Sequence, residues 1–243
     1  MRLLAMDTAS NCCSAAIWRE GGIVAARNQA MTRGHAEAIM PMIDDVLAEA
    51  GHGFNELDGL AVTVGPGSFT GLRTGLAAAR GLALATGLPL AGVTTLEIVA
   101  HDARPVLAEA GNNSAGCGPC CLIALETRRA DLYAQFFTVD AVGDAMAIDE
   151  PLALRPEALS EMLPSTPLVL AGDGVSRLKK YLSRRGDVDV VIDDAIAPDA
   201  RTVASLVARR WSADGPTQGP SPSPIYVHPP EATVPVAQGR LRP

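Results

Sequence analysis

The stretch that decides the fold is Arg2–Ala30, RLLAMDTASNCCSAAIWREGGIVAARNQA. It divides into three strand-like runs, Arg2–Asp7, Cys12–Arg19 and Gly22–Ala30, with turn residues at Asn11 and at Gly21-Gly22. Connections this short join antiparallel neighbours, so the chain opens with a three-stranded meander. The next run, Arg33–Ala50, changes period. Ala36, Ile39, Met40, Ile43, Val46, Leu47 and Ala50 recur at helical spacing, Pro41 lies within the pattern as a candidate kink, and Gly51 and Gly53 stop it. Leu57–Val64 then reads as a strand, and Gly65-Pro-Gly67 as a sharp turn. Ser68 is a natural N-cap for a helix running to about Thr86, with Gly87 as its stop. A short strand at Leu90–Val93 and a helix capped by Thr94 or Thr95 complete the half.

The order then recurs. Cys121–Thr127, Asp131–Val139 and Ala145–Pro151 are three strands, and Pro156–Leu163 a short helix. Leu168–Ala171 is a strand, Gly172-Asp-Gly174 a turn, and a helix follows to about Arg185. A strand at Val188–Ile192 and a helix from Asp199 to Trp211 end the series. Element order repeats although residues do not. Two successive βββαβα units predict an α/β protein with the two-lobed, actin-like ATPase (ribonuclease H-like) fold. The boundaries read as 1–100 for the first lobe, 101–212 for the second, and 213–243 for a Pro/Gly/Ser-rich linker and tail in which Ile225–Val227 would add a strand.

Composition narrows function. Of 243 residues, 48% are hydrophobic and 19% charged, as expected of a chain with a proper core. The net charge is −7, divided between −3 over residues 1–100 and −4 over the rest; neither part is basic, so, a local patch aside, the chain is not expected to hold RNA by itself. The most apolar region, Leu72–Val93, is broken by Arg73, Arg80 and several Gly, and Asp7 interrupts the N-terminal apolar run after five residues. Neither a membrane span nor a signal peptide is predicted, and the expected location is cytoplasmic, with reduced thiols.

Several constellations invite chemical readings. Cys117-Gly-Pro-Cys120 has redox spacing but precedes a strand rather than opening a helix, so it reads as thiols at a loop–strand junction. Cys12 and Cys13 alternate across a strand and cannot both complete a zinc site with them. His35 lacks a second His at i+4, and His52, His101 and His228 are scattered, so no metal site is predicted. Asp7-Thr8 at the first hairpin, Glu126 and Arg128 at the matching second hairpin, and Gly172-Asp173 occupy the places where this fold meets a nucleotide. The second hairpin has no Gly and bulky Arg at its turn, so it reads as a degenerate nucleotide cleft. Gly65, Pro66, Gly67, Ser68, Phe69, Thr70, Gly71 and Arg73 form a Gly-rich turn opening a helix. Such a turn suits an anion, yet it lacks the Lys-Ser/Thr of a P-loop, and Ser68 has no His and acidic partner for hydrolysis. Gly71, Gly75 and Ala79 recur at i, i+4, i+8, which allows either close packing within the lobe or a helix–helix contact with another chain.

Val64-Gly-Pro-Gly-Ser-Phe-Thr-Gly-Leu-Arg73 resembles the signature of the TsaB (YeaZ-type) family. Leu4–Ser10, Gly34–Pro41, Leu122–Phe136 and Leu170–Gly174 resemble its opening strand, first helix, second-lobe strand pair and later turn, so the resemblance runs to about Trp211. It implies a non-catalytic subunit of the machinery that makes tRNA threonylcarbamoyladenosine. In that picture TsaD carries the metal and transfers the threonylcarbamoyl group. The TsaB-type subunit binds TsaD through helices of its first lobe, homodimerises through the same surface when alone, and helps recruit the ATPase TsaE. The resemblance assigns the interface to His35, Ile39, Met42, Ile43, Leu72, Gly75, Leu76, Ala79 and Arg80. It implies tRNA contact only through the complex and no cofactor of the chain's own, with ATP or ADP held, if at all, at the joint with TsaD. Pro224-Ile-Tyr-Val-His228 departs from a family segment that often ends in Arg, and the Cys-rich insert at 111–121 has no counterpart. An independent small-molecule kinase or ATPase of the same fold is the alternative reading, and a redox protein using Cys117 and Cys120 a more distant one.

Overall fold

A computed structural model of the chain describes residues 1–106, 120–127, 129–140, 144–164, 168–182, 190–193, 197–216 and 219–228. Its first sheet has strand order β3-β2-β1-β4-β5, formed by β1 (Arg2–Asp7), β2 (Cys12–Arg19), β3 (Gly22–Ala30), β4 (Gly59–Gly65) and β5 (Leu90–Thr94). The meander is antiparallel, with Arg2 opposite Arg19 and Asp7 opposite Ser14, and β4 and β5 add in parallel. Alternation along β1 separates two cores. Leu4 and Met6 point to one face, under α1 (His35–Ala50) and α2 (Phe69–Thr86), while Leu3 and Ala5 point to the other. The glycine at α1's start, Gly34, has φ +90, which sets the helix boundary at His35 rather than Arg33. Pro41 lies on the exposed face of α1, and the helix runs through it.

The second sheet repeats the order as β8-β7-β6-β10-β11, from β6 (Cys120–Glu126), β7 (Leu132–Val139), β8 (Ala145–Ala147), β10 (Leu168–Ala171) and β11 (Val190–Asp193). The duplicated, two-sheet α/β architecture agrees with the sequence expectation. One detail differs: the single strand expected at 145–151 is two, because β9 (Leu152–Leu154) also pairs with β7. Asp149 causes the break. Its carboxylate accepts the Phe136 N–H at 2.9 Å and its carbonyl accepts from the Gln135 side chain at 2.7 Å, while Pro151 has no N–H to offer. The helices α4 (Pro156–Glu161) and α5 (Val175–Leu182) cover one face through Leu159, Val175 and Leu178.

The last helix, α6 (Ala200–Asp214), lies late in sequence but packs on the first sheet, where Val203, Ala204, Val207 and Trp211 meet Leu3, Ala5 and Ala61. Gly59 is needed there, since a Cβ would stand 2.3 Å from the Trp211 ring. The helix α3 (Thr95–Asp102) lies beside it and supplies Leu96 and Val99 to the second lobe's core. Polar contacts fasten this junction. The Thr202 hydroxyl meets the Asp102 carboxylate at 2.8 Å, and Arg104 and Arg209 both reach Asp144, at 3.1 and 2.6 Å. No helix among the described residues is long and apolar enough to cross a membrane.

The segment after α6 is more attached than its composition suggests. Pro222 packs over Gly92, and its carbonyl accepts from Arg80 at 2.5 Å. Ile225 N–H donates to Val64 O at 2.8 Å, but this bond is not continued into a strand. The preceding Pro224 has no N–H with which to extend a ladder.

Candidate functional site

The first hairpin and the signature turn close on each other. The carbonyl of Ala9 accepts the Ser68 N–H at 2.7 Å, and the Thr8 hydroxyl donates to Gly71 O at 2.7 Å. Ser68 caps α2 as expected, taking the Gly71 N–H at 3.3 Å. The glycines of the signature are explained by this closeness. A Cβ on Gly67 would stand 2.4 Å from Ala9 O, one on Gly71 2.0 Å from Thr8 O, and one on Gly75 2.4 Å from the Thr8 hydroxyl. The turn is therefore packed against its own chain's hairpin, and two N–H groups that an anion would use are already bonded.

Asp7 is fully buried beneath this contact. One oxygen accepts the Ala9 N–H at 3.3 Å, while Oδ2 has no partner among the described residues. Burial is the main reason its carboxyl is pushed up to about 6, against a smaller lowering by the neighbouring Thr63 hydroxyl. That hydroxyl lies beside the carboxyl but makes no hydrogen bond of normal geometry.

The second hairpin is filled by protein groups as well. The Asp173 carboxylate accepts the Glu126 N–H at 2.8 Å, where a phosphate oxygen would compete for it. From α5, Arg177 binds the Glu126 carboxylate at 2.9 Å and the carbonyls of Arg129, Ala130 and Asp131 at 3.2, 2.5 and 3.0 Å. Gly172, at φ +107, brings the turn so near that a Cβ would stand 2.4 Å from Ala124 O. Of the predicted cleft residues, Asp7, Thr8, Glu126, Gly172 and Asp173 are placed around these two hairpins, and Arg128 lies outside the described residues.

Between the lobes is a cleft of about 720 Å³. The signature residues Pro66–Thr70 and Arg73 line one side, and Glu126, Thr127, Arg129 and Asp173 line the other. Residues 225–228 run along it, a feature the sequence reading missed. Tyr226 accepts from Arg73 Nε at 3.1 Å and stands 5.7 Å from the Phe69 ring, while His228 reaches the second lobe at Tyr133 and at the Asp131 carboxylate, 3.2 Å away. That last contact has the distance of an ion pair but not hydrogen-bond geometry.

The helix faces require a correction. Ile39, Met42, Ile43, Leu72, Gly75, Leu76 and Ala79 are buried in the first lobe's own core, and only Arg80 among the expected interface residues is exposed. His35 is also buried, with a ring nitrogen 3.2 Å from Ser10 O. At Gly71 and Gly75 the small-residue stripe meets Thr8 and Val62 rather than another helix. The outward surface of α1 and α2 instead carries Ala36, Met40, Pro41, Ala77, Gly81, Leu84 and Ala85 among the charged Glu37, Asp44, Asp45, Glu49, Arg73 and Arg80, and Leu84 is 89% exposed. Leu84 stands out of phase with Leu72, Leu76 and Ala79, and that was the available signal.

Among the described residues no group of three or more His, Cys, Asp or Glu is arranged to hold a metal. Burial raises the Cys12 and Cys13 thiols to about 11, which keeps them protonated and unreactive at neutral pH. Cys117 lies outside the described residues.

The sequence model of the TsaD family, tRNA N6-adenosine threonylcarbamoyltransferase, matches residues 13–163. The tRNA threonylcarbamoyladenosine biosynthesis protein TsaB of Escherichia coli K12 is 36% identical over 163 residues, covering 67% of this chain and 66% of the relative. The TsaB of Haemophilus influenzae is 42% identical over 103 residues, covering 42% and 43%. The matched stretches thus span about two thirds and less than half of these relatives' lengths. The solved structure of YeaZ from Pseudomonas aeruginosa superposes with a TM-score of 0.76 at 26% identity, over 93% of this chain and 99% of that one. The chain belongs to the TsaB (YeaZ-type) family of tRNA threonylcarbamoyladenosine biosynthesis proteins, within the wider TsaD family.

Proposed function

We propose that this chain is a non-catalytic, cytoplasmic subunit in tRNA threonylcarbamoyladenosine synthesis. It binds a TsaD-type transferase, helps recruit the ATPase TsaE, and meets tRNA only within that complex. The observation that carries the non-catalytic reading is the occupation of the signature turn and of the second hairpin by protein groups: Ala9 O on Ser68 N–H, and Asp173 on Glu126 N–H. A kinase or ATPase would need those donors for phosphate. The partner is assigned to the outward face of α1 and α2, where Met40 of α1 is exposed and the highly exposed Leu84 of α2 stands near the small residues Gly81 and Ala85 of the same helix. Small residues let a second helix approach closely, and Leu84 supplies apolar area to bury. The same face serves self-association when the transferase is absent.

Reconstitution tests this. With purified TsaD-type transferase, TsaE and an enzymatic source of threonylcarbamoyl-adenylate, modification of tRNA is expected to depend on this chain. The chain alone is expected to give no magnesium-dependent ATP hydrolysis. Undiminished modification without it would overturn the proposal.

A further inference from the structure

Residues 222–228 join the two lobes along the cleft, and the two ends of this segment are held differently. The first-lobe end has several attachments. Pro222 packs over Gly92, and its carbonyl accepts from Arg80 at 2.5 Å. The Ile225 N–H donates to Val64 O at 2.8 Å, and the Tyr226 hydroxyl accepts from Arg73 Nε at 3.1 Å. The Tyr226 ring also lies 5.7 Å from that of Phe69. The second-lobe end is held by one side chain. The His228 ring stands 5.4 Å from that of Tyr133, and its Nε2 is 3.2 Å from the Asp131 carboxylate without hydrogen-bond geometry. Asp131 is itself fixed, since its carbonyl accepts from Arg177 at 3.0 Å.

The segment has little slack. Tyr226 and Val227 alone separate the bonded Ile225 from His228. Three residue steps of extended chain reach at most about 11 Å, so the lobes cannot part here while both ends hold. Pro222 and Pro224 fix φ just before, which stiffens the approach. The lobes also meet at the α3–α6 junction, where Leu96 and Val99 enter the second lobe's core and Arg104 and Arg209 share Asp144. A packed junction with a short tether elsewhere is the arrangement of a hinge and a latch. A ring contact and a charge pair without hydrogen-bond geometry form the weaker end, so the latch opens at His228. Its other anchors, Arg73 and Arg80, are exposed on the outward face of α2. We infer that residues 222–228 are a latch that fixes the two lobes relative to one another, and that Arg73 and Arg80 are its release. An acidic protein surface docked on α2 would compete for both guanidinium groups and free the first-lobe end. The latch itself is a property of the chain alone and does not depend on which partner docks there.

Double electron–electron resonance on the full chain tests it. Unnatural-residue spin labels go at the exposed Gln29 of β3 and the exposed Met162 beyond α4, leaving the five cysteines untouched. Dilution with unlabelled chain removes distances between copies. The wild-type chain is expected to give one narrow distance distribution. His228→Ala is expected to shift its mean by about 3 Å or more, or to make it about twice as broad. Arg73→Ala combined with Arg80→Ala is expected to change it in the same direction. Circular dichroism checks that each variant is folded, with the smaller change His228→Asn in place of His228→Ala if that chain is not. A histidine variant whose distribution superposes on wild type would overturn the latch. Paired arginine substitutions that leave the distance unmoved, while His228→Ala moves it, would overturn the assignment of the release.

Discussion

Replacing Asp7 by Asn is expected to stabilise the protein at neutral pH. The carboxyl is fully buried, and its Oδ2 has no partner among the described residues. Burial is the largest cause of its rise from 3.8 to about 6. The sign follows from proton linkage. Between those two values the folded chain keeps a proton that the unfolded chain has released, so stability falls as pH rises from 3.8 to about 6 and stays reduced above. At ~1.36 kcal/mol per pH unit the full loss is about 3 kcal/mol. An Asn side chain occupies the same space, keeps an oxygen for the Ala9 N–H, and brings an amide that can donate to the Thr63 hydroxyl. Urea unfolding followed by Trp18 and Trp211 fluorescence, from about pH 4 to pH 8, should show the Asp7→Asn variant as the more stable protein by up to about 3 kcal/mol at pH 7.5. The difference should shrink toward zero near pH 4. A variant equally or less stable at pH 7.5, or a difference independent of pH, would refute the reading of Asp7 as an uncompensated buried carboxyl.

Gly71→Ala should cost at least about 2 kcal/mol in urea unfolding, because its Cβ would stand 2.0 Å from Thr8 O and force α2 off the hairpin. Leu84→Arg should leave stability within about 0.5 kcal/mol, since Leu84 is 89% exposed, while abolishing co-elution with the transferase. Leu76→Arg should instead fail to fold, as seen by circular dichroism, because Leu76 is 3% exposed in the first lobe's core. Arg177→Ala should lower stability by about 1–3 kcal/mol in a thermal melt, from loss of its charge-assisted bonds to Glu126 and the turn carbonyls, in a partly exposed setting.

Much of the fold was legible where local chemistry acts alone. Ser68, Thr94 and Asp199 cap the helices they precede, and Gly51 and Gly87 end α1 and α2 in left-handed conformations. The duplicated element order could be read because each strand and helix carries its own period. What failed depended on distant neighbours. The spacing of Gly71 and Gly75 signals that some backbone comes close, but not whether it belongs to another helix or, as here, to the Thr8–Ala9 hairpin. The same ambiguity turned a core stripe into an expected partner face. Nothing local in Ala200–Asp214 tells that it crosses to the first sheet, since an apolar stripe fits either one. The segment at 222–228 was read from its Pro and Ser as a loose linker leading to a short strand. Its attachment rests on single contacts by Pro222, Ile225, Tyr226 and His228, which leave no periodic trace.

The most direct test of the central claim is size-exclusion chromatography with light scattering on the chain and its TsaD-type transferase, with wild type and Leu84→Arg run side by side. The account predicts a stoichiometric wild-type complex that Leu84→Arg abolishes while remaining folded. A wild-type chain that never binds the transferase, or a Leu84→Arg complex as stable as wild type, would contradict it.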